Sequence, residues 1–214
     1  MILAKKNSAL TEAIMEKFGD AYEADALTYK MGIDRRFTTA IAERFRGRHV
    51  LETCTGAGFT TISLARSASS VVTMEIDPGH QKQAKYNVRK AGLTSGVTFL
   101  LGDVMDEGLL RRLPAVDAAF LDPDWADTGP NHVYRFIDSN TRPPADVLLK
   151  KIFNITPNVA LILSPFVDVH EFNGLCSHER QKLYMGDSLE LFCLYFGDLV
   201  ASIGETELWV RKNS

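Results

Sequence analysis

The chain reads as an α/β protein: one mostly parallel sheet of about seven strands, the last of them antiparallel, with helices ahead of it. Three observations predict this. Four strand-like segments begin at His49, Val71, Val97 and Val116, end in or beside acidic residues, and are separated by helical patterns. A β-α-β-α-β-α-β order gives a parallel sheet with right-handed crossovers. The first segment runs straight into a glycine turn, Glu52-Thr53-Cys54-Thr55-Gly56-Ala57-Gly58. Near the C-terminus, Leu189 to Phe196 and Thr206 to Arg211 read as two more strands, and the gap between them is short enough for an antiparallel pair rather than a crossover.

The elements follow in order. Leu10, Ile14 and Phe18 recur every fourth residue, which predicts a helix with Ser8 as its N-cap and Gly19 as its stop. A polar segment carrying Tyr22 and Tyr29 separates it from a second helix, capped by Asp34, whose buried stripe is Phe37, Ile41 and Phe45. Gly47 ends that helix just before the strand from His49. These residues, 1–48, form a helical extension, and 49–214 form the main domain. After the glycine turn, Phe59, Ile62 and Ala65 mark a helix. Val71 to Asp77 is a strand closed by Pro78, with Asp77 as cap of the helix carrying Ala84, Val88 and Ala91, and Gly92 as its stop. Val97–Leu101 is the third strand, Leu109–Leu113 a short helix, and Val116–Leu121 the fourth strand. Residues 124–142 lack periodicity, and a long irregular stretch in a compact domain often covers an active site. A helix over 145–153 and a strand over 159–164 follow. Residues 168–186 read as a broken helix.

Composition narrows the function classes. At 45% hydrophobic and 24% charged residues the chain is an ordinary globular one. It has no apolar run near the ~20 residues that span a bilayer and no secretion-signal pattern, so no membrane role is expected and the location is read as cytoplasmic. Cys54, Cys176 and Cys193 are odd in number and widely spaced. The five histidines are scattered, so neither a disulfide framework nor a metal site is expected. The net charge of −3 lacks the basic surplus of a protein that grips a long phosphate backbone, although Arg35, Arg36, Arg44, Arg46 and Arg48 make a local cluster.

The chemistry lies at the strand ends. In order these carry Glu52 with the glycine turn, Glu75 with Asp77, Asp103, and Asp122. The carboxyl ends of parallel strands share one edge of the sheet, so these acids converge on a single crevice. Glycine allows positive φ and close approach of a ligand. Glu75 lies 17 positions after Gly58, near the ~20 at which a second-strand acid accepts both ribose hydroxyls. A ring of carboxylates repels phosphate, the dinucleotide pattern fails at Cys54 and Phe59, and no phosphate-binding lysine follows the turn. A ligand with adenine, ribose and a positive centre but no phosphate fits, and S-adenosylmethionine is that molecule.

With these motifs in place, the chain resembles a class I S-adenosylmethionine-dependent methyltransferase over about 49–211. The resemblance implies a Rossmann-like sheet in which Glu52, Thr53, Cys54, Gly56 and Gly58 hold the methionine part, Glu75 the ribose, and Asp103 with Val104 the adenine. It is most similar to the trimethylguanosine synthase-like guanine-N2 methyltransferases. Those share the acid-x-Cys-x-Gly-x-Gly opening, Ile76-Asp77-Pro78, Gly102-Asp103, the loop at Asp122-Pro123-Asp124-Trp125, and a late Tyr-Phe-Gly-Asp-Leu at Tyr195 to Leu199. By resemblance, Asp122 and the Pro123 carbonyl accept hydrogen bonds from a target amine while Trp125 stacks on its base, making an RNA or other nucleotide the substrate.

The loop departs from the family at Asp124, where a second proline is expected. A carboxylate there should repel phosphate or favour a cationic base. A small-molecule or protein acceptor therefore stays open as an alternative, as does a scaffold that keeps the fold without catalysis.

Overall fold

The computed structural model describes residues 2–125 and 132–212. Its centre is an eight-stranded sheet in the order β3-β2-β1-β4-β5-β7-β6-β8. The strands are β1 (His49–Thr53), β2 (Ser70–Glu75), β3 (Val97–Leu101), β4 (Ala118–Leu121), β5 (Val159–Leu163), β6 (His178–Met185), β7 (Ser188–Phe196) and β8 (Gly204–Val210). The chain winds outward from β1 to β3, returns to β4 beside β1, and winds out the other way. The switch point lies between β1 and β4, where open α/β sheets form their ligand crevice.

Both faces of the sheet are covered, and the side-chain period of two shows it. Val50, Phe120 and Ile162 face one layer, where Phe37, Ile41 and Phe45 pack from α3 (Arg35–Glu43) and the residues just after it. Their neighbours Leu51, Leu121, Leu161 and Leu163 face the other, against Leu148, Leu149 and Ile152 of α7 (Ala145–Ile152). Such strands read as continuous apolar runs, because neither face meets water. A third cluster joins Ile14 and Phe18 of α1 (Ile2–Phe18) to Phe59 and Ile62 of α4 (Phe59–Ser67) and Val88 of α5 (Pro78–Lys90). Phe18 and Phe59 stack at 3.5 Å between ring centroids.

Several expectations hold to within a few residues. Asp34 and Asp77 cap α3 and α5, accepting backbone N–H bonds from Arg36 and from Gly79 and His80. Gly19, Gly47 and Gly92 have positive φ where their helices stop. The short helix between β3 and β4 is α6 (Glu107–Leu110), a little earlier than expected. Of the irregular stretch expected over 124–142, residues 126–131 lie outside the described residues.

Others are corrected. Ser8 lies inside α1 rather than capping it. The segment with Tyr29 forms a helix of its own, α2 (Ala26–Met31), opened by a capping box between Asp25 and Thr28. The supposed broken helix is a short turn over Val169–Phe172 followed by β6. That strand inserts between the two C-terminal strands, so these do not pair. β7 runs antiparallel to both β5 and β6, while β8 lies parallel to β6 at the sheet's edge. The antiparallel pairing expected at the C-terminal end is present, carried by β7. A buried charge disguised β6. Glu179 accepts bonds from both ends of the Arg44 guanidinium, at 3.2 and 3.0 Å, and from the Thr206 hydroxyl at 2.7 Å. No described helix is long and apolar enough to cross a membrane.

Candidate active site

At the switch point the carboxyl ends of β1, β2, β3 and β4 surround a cleft of about 670 Å³, within the range of small-molecule sites. Glu52, Cys54, Gly56, Glu75, Asp103, Val104, Asp122, Pro123 and Trp125 all line it. Thr53 and Gly58 stand behind the wall. Thr53 is fully buried in β1. Gly58 takes φ +81° and starts α4, and a Cβ there would sit 3.0 Å from Ala84 on α5. Its glycine is needed for helix packing. Gly56, at φ +55°, is the opposite case: a Cβ there would meet nothing within 4 Å, so the cleft reaches the bare backbone.

The turn is held from below. Glu75 accepts the Gly56 N–H at 2.8 Å through Oε2 and the Asp77 N–H at 2.9 Å through Oε1, so each oxygen is fixed in place with lone pairs to spare. Asn87 of α5 donates to the Ala57 carbonyl at 2.9 Å and also exchanges bonds with the Glu23 backbone. One buried amide thus joins the glycine turn to the N-terminal segment.

Two carboxyls in the cleft are shifted. Glu52 is buried, its Oε2 accepts the Thr61 hydroxyl at 2.6 Å, and its Oε1 has no partner. Burial, with Glu75 adding to it, pushes its pKa up to about 7. Asp122 is pushed up to about 8, by burial first and then by the charges of Glu52 and Asp124. Cys54 holds φ +60° and its thiol is pushed up by burial and by Asp122. A thiol held neutral is no thiolate nucleophile, in line with a wall residue.

On the β3 side, Asp103 is exposed and its Oδ1 accepts the Met105 N–H at 2.8 Å, while Val104 is buried beside it. On the β4 side, Trp125 meets Tyr134 edge-on at 6.2 Å, and Tyr134 lies 5.4 Å from Phe166.

Asp124 departs from expectation. Its backbone forms an isolated antiparallel bridge with Arg142, and its Oδ2 lies 2.5 Å from Arg142 Nη2. The repulsive carboxylate read from the sequence is therefore an ion pair.

Sequence reasoning missed part of the wall. α2 contributes Leu27, Thr28, Lys30 and Met31, and its only sequence signal was the Asp25-x-x-Thr28 capping box. Ile76, two-thirds exposed between Glu75 and Asp77, offers an apolar surface to the cleft. Arg142, Pro143 and Pro144 enter through the Asp124 bridge, which no local pattern announces. Conversely, Tyr195 to Leu199 lies outside the cleft. β7 is antiparallel, so its end meets the start of β5, with Tyr195 opposite Ala160. There Gly197, at φ +62°, packs so tightly that a Cβ would lie 2.4 Å from Asn158 Oδ1. Among the described residues no cluster of His, Cys, Asp and Glu could hold a metal ion.

A family model described as RNA cap guanine-N2 methyltransferase matches residues 47–187. A candidate methyltransferase from Porphyromonas gingivalis W83 superposes with a TM-score of 0.72 at 17% identity, covering 91% of this chain and 49% of that one. TrmK of M. capricolum, solved with S-adenosylhomocysteine, superposes with a TM-score of 0.54 at 13% identity, covering 81% and 70%. Among curated sequences, catechol O-methyltransferases from Mycobacterium tuberculosis and Niastella koreensis are 35% and 32% identical over 92 and 95 residues. Each match takes in 42% of this chain, and it spans less than half the length of those relatives. The family match covers well over half of the chain. The chain belongs to the RNA cap guanine-N2 methyltransferase family, a class of S-adenosylmethionine-dependent methyltransferases.

Proposed function

We propose that the protein methylates an exocyclic amine of a nucleobase, of the guanine N2 type, in RNA or a cap-like nucleotide. The observation that carries this reading is the convergence of Asp122, Pro123 and Trp125 on the same cleft as the glycine turn. The family description supports the base and the atom.

The cleft fits S-adenosylmethionine on its own chemistry. The unpartnered Glu52 Oε1 calls for a donor such as an ammonium group. Gly56 leaves bare backbone for close approach. The fixed Glu75 oxygens keep lone pairs for a ribose diol, and Ile76, Asp103 and Val104 suit the adenine. When bound, the cofactor supplies an electrophilic methyl group on a sulfonium sulfur.

The chain's own residues then position the acceptor. The Asp122 carboxylate accepts one N–H of the amine and the Pro123 carbonyl a second, which turns the nitrogen lone pair towards the methyl carbon. Trp125 stacks on the base, a contact typically worth ~1 to 3 kcal/mol. Methylation of the nitrogen would displace one of its protons, which needs an acceptor at the Asp122 side of the cleft. Asp122 in its ionised form, made more basic by burial and by the neighbouring Glu52 and Asp124, would take it. Holding reactants as near-attack conformers can supply about 7 to 11 kcal/mol, and no covalent enzyme intermediate is needed.

The catechol O-methyltransferase relatives favour a second reading, a small-molecule acceptor. Tritiated cofactor incubated separately with total RNA and with a metabolite extract separates the two. Label in RNA, recovered as N2-methylguanine after digestion, supports the first; label confined to small molecules overturns it.

A further inference from the structure

Asp124 and Arg142 are joined twice. Their backbones exchange hydrogen bonds at 2.9 and 2.8 Å, closing the neck of the segment that begins at Trp125 and includes Tyr134, and their side chains pair at 2.5 Å. Both residues line the cleft. The Asp124 side chain is 22% exposed and that of Arg142 is 73% exposed, so the carboxylate sits on the inner side of the pair and the guanidinium on the outer. The cleft's other charged side chains are the acids Glu52, Glu75, Asp77, Asp103 and Asp122 and one further cation, Lys30 on α2, and Asp124 interacts electrostatically with Asp122. Arg142 is thus a cation paired with Asp124 two residues from Asp122, at the end of the cleft to which the proposed function assigns methyl transfer.

We infer that Arg142 is a specificity-determining residue: it sets the charge of the methyl-transfer side of the cleft, and so decides how strongly the site prefers a cationic sulfonium over the neutral thioether product and a cationic acceptor over a neutral one. The acceptor half of this inference rests on the nucleobase reading. The cofactor half stands without it.

Chemistry gives the role its logic. Methyl transfer converts a sulfonium into a thioether, and once the proton displaced from the acceptor has passed from Asp122 to solvent the cleft holds one positive charge fewer. A wall left strongly negative would hold the reactant too well relative to the product, and one left positive would retain the product. A balanced Asp124–Arg142 pair lets both forms exchange. An ion pair open to solvent adds little to folding stability, so replacing either partner changes the charge while the backbone bridge keeps the neck closed.

The test is a four-variant charge ladder. Affinities for S-adenosylmethionine and S-adenosylhomocysteine are measured by calorimetry at low salt for the wild type, Arg142→Gln, Asp124→Asn and the double variant, with Arg142→Lys as a charge-conserving control and a melting curve for each. The preference for the sulfonium form should rise about three- to tenfold in Arg142→Gln, fall in Asp124→Asn, and return near the wild-type value in the double variant and in Arg142→Lys. The spread should shrink as salt is added. Equal preference in all variants, or a shift in the same direction for both single variants, overturns the inference, since a merely structural role would not follow the sign of the charge. In a second arm, Arg142→Gln should favour N7-methylguanosine monophosphate, whose base is cationic, over guanosine monophosphate in methyl transfer. If the wild type methylates neither, the nucleobase reading fails while the cofactor ladder still decides the role of Arg142.

Discussion

Replacing Glu52 by glutamine should stabilise the protein when it holds no cofactor, an unusual outcome for a buried polar residue in a conspicuous motif. Glu52 is 1% exposed and one of its oxygens has no partner. Its pKa rises from the ordinary 4.5 to about 7 because burial penalises the charged form. Since the folded pKa lies above the unfolded one, the folded protein binds the proton more tightly between those values, and stability falls as pH rises through that window. At about 1.4 kcal/mol per tenfold change in proton affinity, the full loss is about 3 kcal/mol above pH 7. The Glu52→Gln variant would keep the Thr61 bond and carry no charge, so it escapes this loss. Urea titrations at about pH 5 and about pH 8 should show similar stabilities at the lower pH and a variant about 3 kcal/mol more stable at the higher. With S-adenosylmethionine present the order should narrow or reverse, because the variant no longer offers a carboxylate to the cofactor's amino group. A variant less stable than the wild type at the higher pH without cofactor would refute the reasoning.

The two glycines of the turn should separate fold from binding. Gly56→Ala meets open space but holds φ +55°, so melting should report about 1 to 2 kcal/mol of strain while calorimetry shows a larger loss of cofactor affinity. Gly58→Ala adds a 3.0 Å contact with Ala84 at φ +81°, and its melting temperature should fall further than that of Gly56→Ala. Arg44→Met takes the cation from the buried Glu179 carboxylate, leaving it the Thr206 hydroxyl and the Ala201 and Ser202 N–H groups; denaturant titration should show a loss of about 3 kcal/mol, with cofactor affinity retained by the folded fraction.

The sheet was legible wherever burial on both faces produced apolar runs, as in β1, β2, β4 and β5, and the site was legible because parallel topology brings every strand-end acid to one edge. Three parts were hidden for physical reasons. β6 carries a buried Glu179 whose charge is met by Arg44, 135 residues away in sequence, so its pattern looked polar. α2 has six residues, too few for a helical period to register, and the Asp25–Thr28 capping box at its start is a short local signal that passes for an ordinary turn. The pairing of Asp124 with Arg142 joins residues 18 apart, and no local rule reveals that a departure from a motif has its compensation elsewhere. The pentapeptide at Tyr195 to Leu199 erred the other way. It is specific in sequence, yet Tyr195 is fully buried beneath the Arg44 guanidinium, 4.8 Å from its ring, towards the end of the sheet opposite the cleft.

The proposed function divides the labour of the cleft: its β2 end would bind the cofactor and its β4 end would carry out the transfer. Glu75→Ala and Asp122→Asn test it most directly, with cofactor affinity by calorimetry and methyl transfer to RNA measured on the same preparations. Glu75→Ala should weaken cofactor binding at least tenfold, while Asp122→Asn should bind the cofactor within a few-fold of the wild type and lose nearly all turnover. Normal turnover in Asp122→Asn at saturating cofactor, or unimpaired binding in Glu75→Ala, would contradict it.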